Sequence, residues 1–290
     1  MFKRIALFMG LNLAIMLTLG ILAHLFGVTG GTGKNLDLAK VFGFSLIFGF
    51  GGAFISLLLS KPMAKWSVKA QPVNTDTPLG RWLYSTVESQ AQRAGLTTPE
   101  VCIYDSPEPN AFATGAFKNS ALVAVSTGLL DNLSKEEVEA VLGHEVGHIA
   151  NGDMVTMTLL QGVLNTFVIF IARIAGWAFD RVVMKNEEEG PGMAQIAVTF
   201  VMELVLGLAA TVILAWFSRR REFRADRAGA ELTNRVAMAN ALRRLSGDSS
   251  GAGLPANLAA FGMRNSHSWL AIFSTHPPIE ERIAALEDMR

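Results

Sequence analysis

Charge and cysteine are the scarcest features of this sequence. Of its 290 residues, 17% are charged and 50% are hydrophobic, and the mean hydropathy is +0.34. Such a composition is too apolar for an ordinary soluble domain and too mixed for a protein made of membrane helices alone. The single cysteine, Cys102, excludes an internal disulfide bond, and we expect it to be a small buried side chain.

Four long stretches contain almost no charge. Asp, Glu, Lys and Arg are absent from residues 5–33, 41–60 and 154–172, and Glu203 alone interrupts residues 190–218. Each stretch is long enough for a helix across a bilayer core of roughly 30 Å, which takes about 20 residues. We therefore predict four transmembrane helices. The first stretch is too long for a removed signal peptide and lacks a convincing cleavage site.

Basic residues flank these stretches at alternate connections. They precede the first stretch and follow the second and the fourth, whereas the other two connections are nearly balanced or acidic. By the positive-inside rule, both chain termini and the long segment 61–153 are expected to face the cytoplasm. The basic residues are Lys3, Arg4, Lys61, Lys65, Lys69, Arg219, Arg220 and Arg221.

The same pattern divides the chain into four parts. Residues 1–60 and 154–218 each hold two predicted transmembrane helices, and a short loop on the far side of the membrane joins the second pair. Residues 61–153 and 219–290 are the soluble pieces, which must fold together into one domain. We expect a mainly α fold with a small β-sheet (α+β). The first piece is predicted to hold a helix at about 78–94 and strands near 101–104 and 121–125. In the second piece the fourth membrane helix is predicted to continue through Ala230, followed by a further helix, a break at 246–253 and a last helix from Ile279.

One motif in the soluble pieces indicates chemistry, namely His144-Glu145-Val146-Gly147-His148. On a helix, residues four apart share a face, so the two imidazoles can bind one metal ion. Glu145 would then lie beside the open coordination position, where a carboxylate can take a proton from water. The spacing of Ser134 and Glu137 predicts a capped start for this helix. The same pattern also occurs as two surface histidines without a metal.

A catalytic zinc site takes three protein ligands and one open position. Topology removes most candidates for the third ligand, because the glutamates at 187–189 lie on the far side and Glu203 lies inside a span. Glu222 is on the expected side, one turn after the fourth stretch. Asp226 follows on the same helix face and could hydrogen-bond a ligand histidine. The alternative is that both carboxylates merely pair with neighbouring arginines.

Four motifs together resemble the HtpX heat-shock membrane zinc proteases, which belong to the gluzincin group that also contains the eukaryotic CAAX prenyl protease. They are His144-Glu145-x-x-His148, Glu222-x-x-x-Asp226, Asn110-Ala111-Phe112-Ala113 and Ser274-Thr275-His276-Pro277. The resemblance covers essentially the whole chain. It implies a bacterial inner-membrane endopeptidase whose zincin-like catalytic domain lies in the cytoplasm, with one Zn²⁺ per chain.

The resemblance also implies the partners and the site residues. His144, His148 and Glu222 would hold the zinc, and Glu145 would be the catalytic base. The substrates would be membrane proteins or unfolded polypeptides, in the quality control of damaged membrane proteins. The lipid bilayer is an expected partner and nucleic acid is not, and nothing in the sequence indicates an oligomeric state.

Further residues have two interpretations each. By the resemblance, Asn110 begins a segment beside the cleft, although it could be an ordinary turn asparagine. His276 could donate to the oxyanion of the reaction, or it could be a loop histidine. The strand at 121–125 could be an edge strand that pairs with the substrate, or a buried core strand.

Two other functions compete with a protease. The first is a four-span scaffold with a purely structural zinc, and the second is a transporter. A structural site is closed by a fourth protein ligand and has no use for Glu145. A transporter would place its chemistry within the bilayer, where the four stretches lack paired charges.

Overall fold

The computed structural model describes residues 2–28, 32, 33, 35–248 and 274–289. Most of the predicted break at 246–253 lies outside this part of the chain. Within it the protein is mainly helical with one small mixed sheet, as predicted. The helices are α1 (Phe2–Leu25), α2 (Leu38–Val68), α3 (Pro78–Arg93), α4 (Thr127–Asn132), α5 (Lys135–Asn151), α6 (Asp153–Ala178), α7 (Met193–Leu232), α8 (Arg235–Asp248) and α9 (Ile279–Glu287). The strands are β1 (Gln71–Pro72), β2 (Glu100–Tyr104), β3 (Ala111–Thr114) and β4 (Leu122–Ser126).

Three helices of the described part are long and apolar enough to cross a membrane. They are α2, α7, and α6 together with the π-helical turn Phe179–Val183 that extends it. Helix α1 has 24 residues, and its apolar part with described side chains is the shorter segment Ala14–Leu25. These helices agree with a multi-pass membrane protein.

The chain forms two compact units, of which the first comprises residues 1–56 and 157–214. Small residues let its helices approach closely. A Cβ atom on Gly49 would lie 2.4 Å from Thr166 Oγ1, and one on Gly176 would lie 2.1 Å from Thr199 Oγ1. Close contact through glycine is typical of helices that pack within a bilayer.

The second unit comprises residues 57–156 and 215–290 and contains the sheet. The strand order is β1-β2-β4-β3, in which β4 pairs with β2 in parallel and with β3 in antiparallel orientation. All five residues of β4 are buried. The strand predicted at 121–125 is therefore a core strand, and the edge next to it is formed by β3, which the sequence did not predict.

Helix α5 packs on this sheet and on α3. Its first turn has the predicted capping box, in which Ser134 Oγ accepts from Glu137 N at 3.3 Å and Glu137 Oε2 accepts from Ser134 N at 2.8 Å. It ends at Gly152, whose φ of 68° lies in the left-handed region that favours glycine. The shared apolar core includes Leu83, Val87, Val123, Val125, Leu129, Leu142, Val146 and Ile149.

Cys102 lies in β2 and is fully buried, as expected. Burial raises the pKa of its thiol to about 11, with Glu100 nearby adding to the effect. The side chain is therefore a neutral, unreactive part of the packing.

Candidate metal centre

Helices α5 and α7 approach each other backbone to backbone. A Cβ atom on Gly143 would lie 3.2 Å from Gly229 Cα, and one on Gly147 would lie 2.7 Å from Ala228 Cβ. A Cβ at Gly147 would force a neighbouring atom to move, and one at Gly143 would be an unusually tight contact. This close approach brings the His144 and His148 side chains of α5 against the Glu222 side chain of α7.

The three side chains predicted as ligands meet in one buried cluster. His144 Nε2 and His148 Nε2 are 3.1 Å apart. Glu222 Oε2 lies 3.6 Å from His144 Nε2, and Glu222 Oε1 lies 3.4 Å from His148 Nε2. Zinc bonds of 2.0–2.2 Å at tetrahedral angles put neighbouring ligand atoms about 3.3 Å apart, so one ion can reach all three residues.

The hydrogen bonding of Glu222 also fits a cation. The carboxylate is 1% exposed, yet its Oε1 accepts no hydrogen bond from the described residues. A buried polar atom without a hydrogen bond is costly. The two Nε2 atoms face each other, and at most one of them can donate to the other. A metal ion would satisfy all three groups, and two imidazoles with one carboxylate are a donor set that zinc takes in catalytic sites.

The outward ring nitrogen of each histidine contacts its own carboxylate. His144 Nδ1 lies 2.9 Å from Asp226 Oδ1, and His148 Nδ1 lies 2.7 Å from Asp153 Oδ2. A carboxylate this close to the outward nitrogen orients a ligand ring, and at His148 the contact is a hydrogen bond. Asp226 has the position predicted for it, whereas Asp153 was not predicted. It is the first residue of α6 and follows His148 by five positions.

An arginine contacts each of these carboxylates. Arg282 of α9 holds both oxygens of Asp226, with Nε at 2.7 Å and Nη2 at 2.6 Å. Arg224 Nη2 lies 3.5 Å from Asp153 Oδ1. Asp226 therefore does not rely on the neighbouring Arg227, which pairs with Glu231. Sequence reasoning missed Arg282, although it lies six residues after His276 in the same segment.

The acidic surroundings change the protonation of both histidines. Burial alone would lower the pKa of His144, but the contacts with Asp226 and Glu222 outweigh burial and raise the pKa to about 9. The pKa of His148 is also raised, because Asp153 and Glu222 outweigh its burial. A protonated ring nitrogen cannot bind a metal, so a metal ion would compete with protons for these two rings.

The remaining candidate residues lie on α5, in the C-terminal segment and before β3. Glu145 is buried on α5, directly after His144. His276 Nδ1 lies 2.8 Å from Glu222 Oε2, while 63% of the His276 side chain is exposed. Asn110 precedes β3, and its backbone N–H donates to Ser126 Oγ at 2.9 Å. The structure thus places His276 against a candidate ligand and Asn110 where β3 meets β4.

Comparison with known proteins gives matches along the whole chain. The model of peptidase family M48 matches residues 79–290. A protein named Protease HtpX homolog from Leptothrix cholodnii is 57% identical, over 98% of this chain and 99% of its own length. Protease HtpX from Xanthomonas axonopodis pv. citri is 53% identical, over 99% of this chain and 97% of its own.

A solved structure has a similar fold. The crystal structure of S. mikatae Ste24p superposes with a TM-score of 0.68 at 19% sequence identity, over 98% of this chain. The chain spans 65% of the length of that protein, so this likeness describes the fold alone.

The long apolar helices, the buried His-His-Glu cluster and these matches together define a membrane metallopeptidase. A non-catalytic scaffold and a transporter are therefore not retained. The chain belongs to peptidase family M48, among its HtpX-type proteases.

Proposed function

We propose that this protein is a zinc-dependent endopeptidase that cuts peptide bonds at a cytoplasmic active site of the bacterial inner membrane. The observation that carries the proposal is the buried cluster of His144, His148 and Glu222, with Glu145 next to it on the same helix. The donor set and the spacing suit one zinc ion with an open position.

In the proposed mechanism the residues of α5 and α7 have separate tasks. His144, His148 and Glu222 hold the zinc, which when bound polarises the substrate carbonyl and makes water more acidic. Glu145 takes the proton of the attacking water and then delivers it to the leaving amine. Asp226 and Asp153 keep the two histidine rings in the orientation that presents Nε2.

We further propose that an extended substrate pairs with β3. This strand lies at the edge of the sheet and packs against α5, and within the described residues no strand covers its outer side. Backbone pairing of this kind tolerates many sequences, which suits unfolded polypeptides. Asn110 begins this edge. His276 remains the proposed oxyanion donor through Nε2, since Nδ1 contacts Glu222 and the side chain is largely exposed.

In the proposed topology α1 spans the membrane in addition to α2, α6 and α7. Both chain termini then lie in the cytoplasm. The basic residues at the end of α2 and near the end of the apolar part of α7 support this orientation. In this arrangement residues 61–153 and 219–290 form the catalytic domain. We infer a role in the quality control of damaged membrane proteins, because the active site would lie on the same chain as the spans that reach such substrates.

Casein hydrolysis by the purified protein in detergent tests this function. We expect cleavage that a chelator stops and that added Zn²⁺ restores, with about one zinc per chain in the active protein. As a control, the assay is repeated with a serine-protease inhibitor, which excludes cleavage by a contaminating protease. Undiminished cleavage after complete removal of metal would contradict the proposal.

A further inference from the structure

The segment 274–289 packs along one face of α7. Arg219 Nη1 donates to the Ser274 carbonyl at 2.8 Å, His276 contacts Glu222, and Arg282 contacts Asp226. Arg219, Glu222 and Asp226 are spaced three and four residues apart, so they share a helix face. The C-terminal segment therefore contacts the candidate ligand Glu222 and also Asp226, the carboxylate beside His144.

Arg282 makes the tightest of these contacts. Its side chain is 10% exposed, and its fork binds both oxygens of Asp226. A bidentate guanidinium fixes a carboxylate in position and in rotation. Asp226 Oδ1 is shared between Arg282 Nη2 at 2.6 Å and His144 Nδ1 at 2.9 Å. Arg282 Nη2 also lies 3.8 Å from Glu222 Oε2.

We propose that Arg282 is a positioning residue of the metal centre. By holding Asp226 in one orientation, it fixes the ring of His144 and thereby the spacing of the three ligands. Helix α9, which carries Arg282, completes the site although it contributes no ligand. This inference rests on the proposed zinc site and extends it to the C-terminal segment.

The second histidine provides an internal comparison. His148 contacts Asp153, and Arg224 stands behind Asp153 as Arg282 stands behind Asp226. Arg224, however, has a 56% exposed side chain and approaches a single oxygen at 3.5 Å. A largely exposed guanidinium that makes one long contact holds a carboxylate less firmly than a buried fork. The carboxylate beside His144 is thus held by a buried bidentate arginine, whereas the carboxylate beside His148 has one long arginine contact.

Arg282 is not the only attachment of α9. Leu286 is buried in an apolar cluster with Met238 and Leu242 of α8. Arg243 of α8 also pairs with Glu287 at the protein surface. Loss of the Arg282 side chain should therefore leave α9 docked, which separates a positioning role from a merely structural one.

Zinc affinity of the purified full-length protein, measured by competition with a chromogenic chelator, tests the proposal. We expect Arg282→Gln to weaken zinc binding by about 10-fold or more, within the range found for groups that orient ligands. Arg282→Lys keeps the charge but loses the bidentate contact, so its zinc affinity should lie between those of the parent protein and Arg282→Gln. The matched control Arg243→Gln should bind zinc within about 2-fold of the parent protein, and Arg224→Gln should lose less affinity than Arg282→Gln.

A double-mutant cycle tests whether Arg282 acts through Asp226. If Arg282 acts through Asp226, then Arg282→Gln combined with Asp226→Asn should bind zinc no more weakly than Asp226→Asn alone. The Co²⁺-substituted Arg282→Gln protein should also show altered visible absorption, because the ligand geometry changes. Where Arg282→Gln does not fold, the lysine variant carries the comparison.

Unchanged zinc affinity in both Arg282 variants, or additive effects in the cycle, would overturn the proposal. Failure of the parent protein to bind zinc would instead overturn the proposed function. The two failures are distinguishable because the first is measured relative to a parent protein that binds zinc.

Discussion

At the scale of single residues, the two histidines of α5 each use one ring nitrogen for the cluster and the other for a carboxylate. His144 is held by Asp226 and His148 by Asp153, so both present Nε2 to the same point. Sequence spacing predicted the two imidazoles, because positions four apart on a helix always share a face. It did not predict Asp153 or Arg282. Their contacts depend on a helix break at Gly152 and on a packing partner 56 residues away.

Removal of Glu222 should abolish zinc binding. Glu222→Ala leaves two imidazoles, which are too few for a tight site, and it takes away the buried carboxylate that draws the cation. Asp226→Ala should weaken zinc affinity by about 10–100-fold, since that residue only orients His144. Metal analysis of both folded variants checks this difference. Stoichiometric zinc in folded Glu222→Ala protein would show that the third ligand lies elsewhere.

At the scale of elements, the crossing of α5 and α7 sets the geometry of the site. The sequence predicted three helices of this unit. Helices α3 and α5 are long, periodic and capped, and α7 continues an apolar stretch. The four-residue strand β3 gave no such signal, because it follows two prolines and has no clear alternation. The packing role of Gly147 could not be predicted from the sequence either, since it depends on Ala228 of another helix.

Gly147→Ala should separate α5 from α7 and weaken zinc binding. The added Cβ would lie 2.7 Å from Ala228 Cβ, and overpacking of this kind costs about 1–3 kcal/mol. Alanine's higher helix propensity offsets up to about 1 kcal/mol of that cost. Gly207→Ala is the matched control, because a Cβ there meets no described atom within 4 Å. Equal zinc affinity and equal thermal stability in the two variants would contradict the account of this crossing.

At the scale of the whole molecule, the chain leaves and re-enters its second unit through long helices. Helix α7 is continuous over 40 residues and carries both an apolar stretch and the candidate ligand Glu222. Helix α6 begins with Asp153, which contacts the candidate ligand His148, and continues as an apolar helix. The orientation in the membrane depends on loop charges, which act during insertion and leave no contact that a folded structure records.

Cysteine labelling in a Cys102→Ser background tests the orientation. Glu188→Cys lies in the exposed loop between α6 and α7, and Glu108→Cys lies in the exposed loop before β3. In intact spheroplasts we expect a membrane-impermeant maleimide to label position 188 and to label position 108 only after lysis. A tag fused to the N-terminus should resist added protease if α1 spans the membrane. Labelling of both positions in intact spheroplasts would contradict the proposed topology, and digestion of the tag would remove α1 as a span.

The central claim is that Glu145 acts as the base beside a zinc ion held by His144, His148 and Glu222. The most direct test measures zinc content and casein cleavage in the same preparation of Glu145→Gln protein. We predict about one zinc per chain together with a loss of cleavage of at least about 100-fold, as expected when a general base is removed. Cleavage at the parent rate by a zinc-loaded Glu145→Gln preparation would contradict the claim.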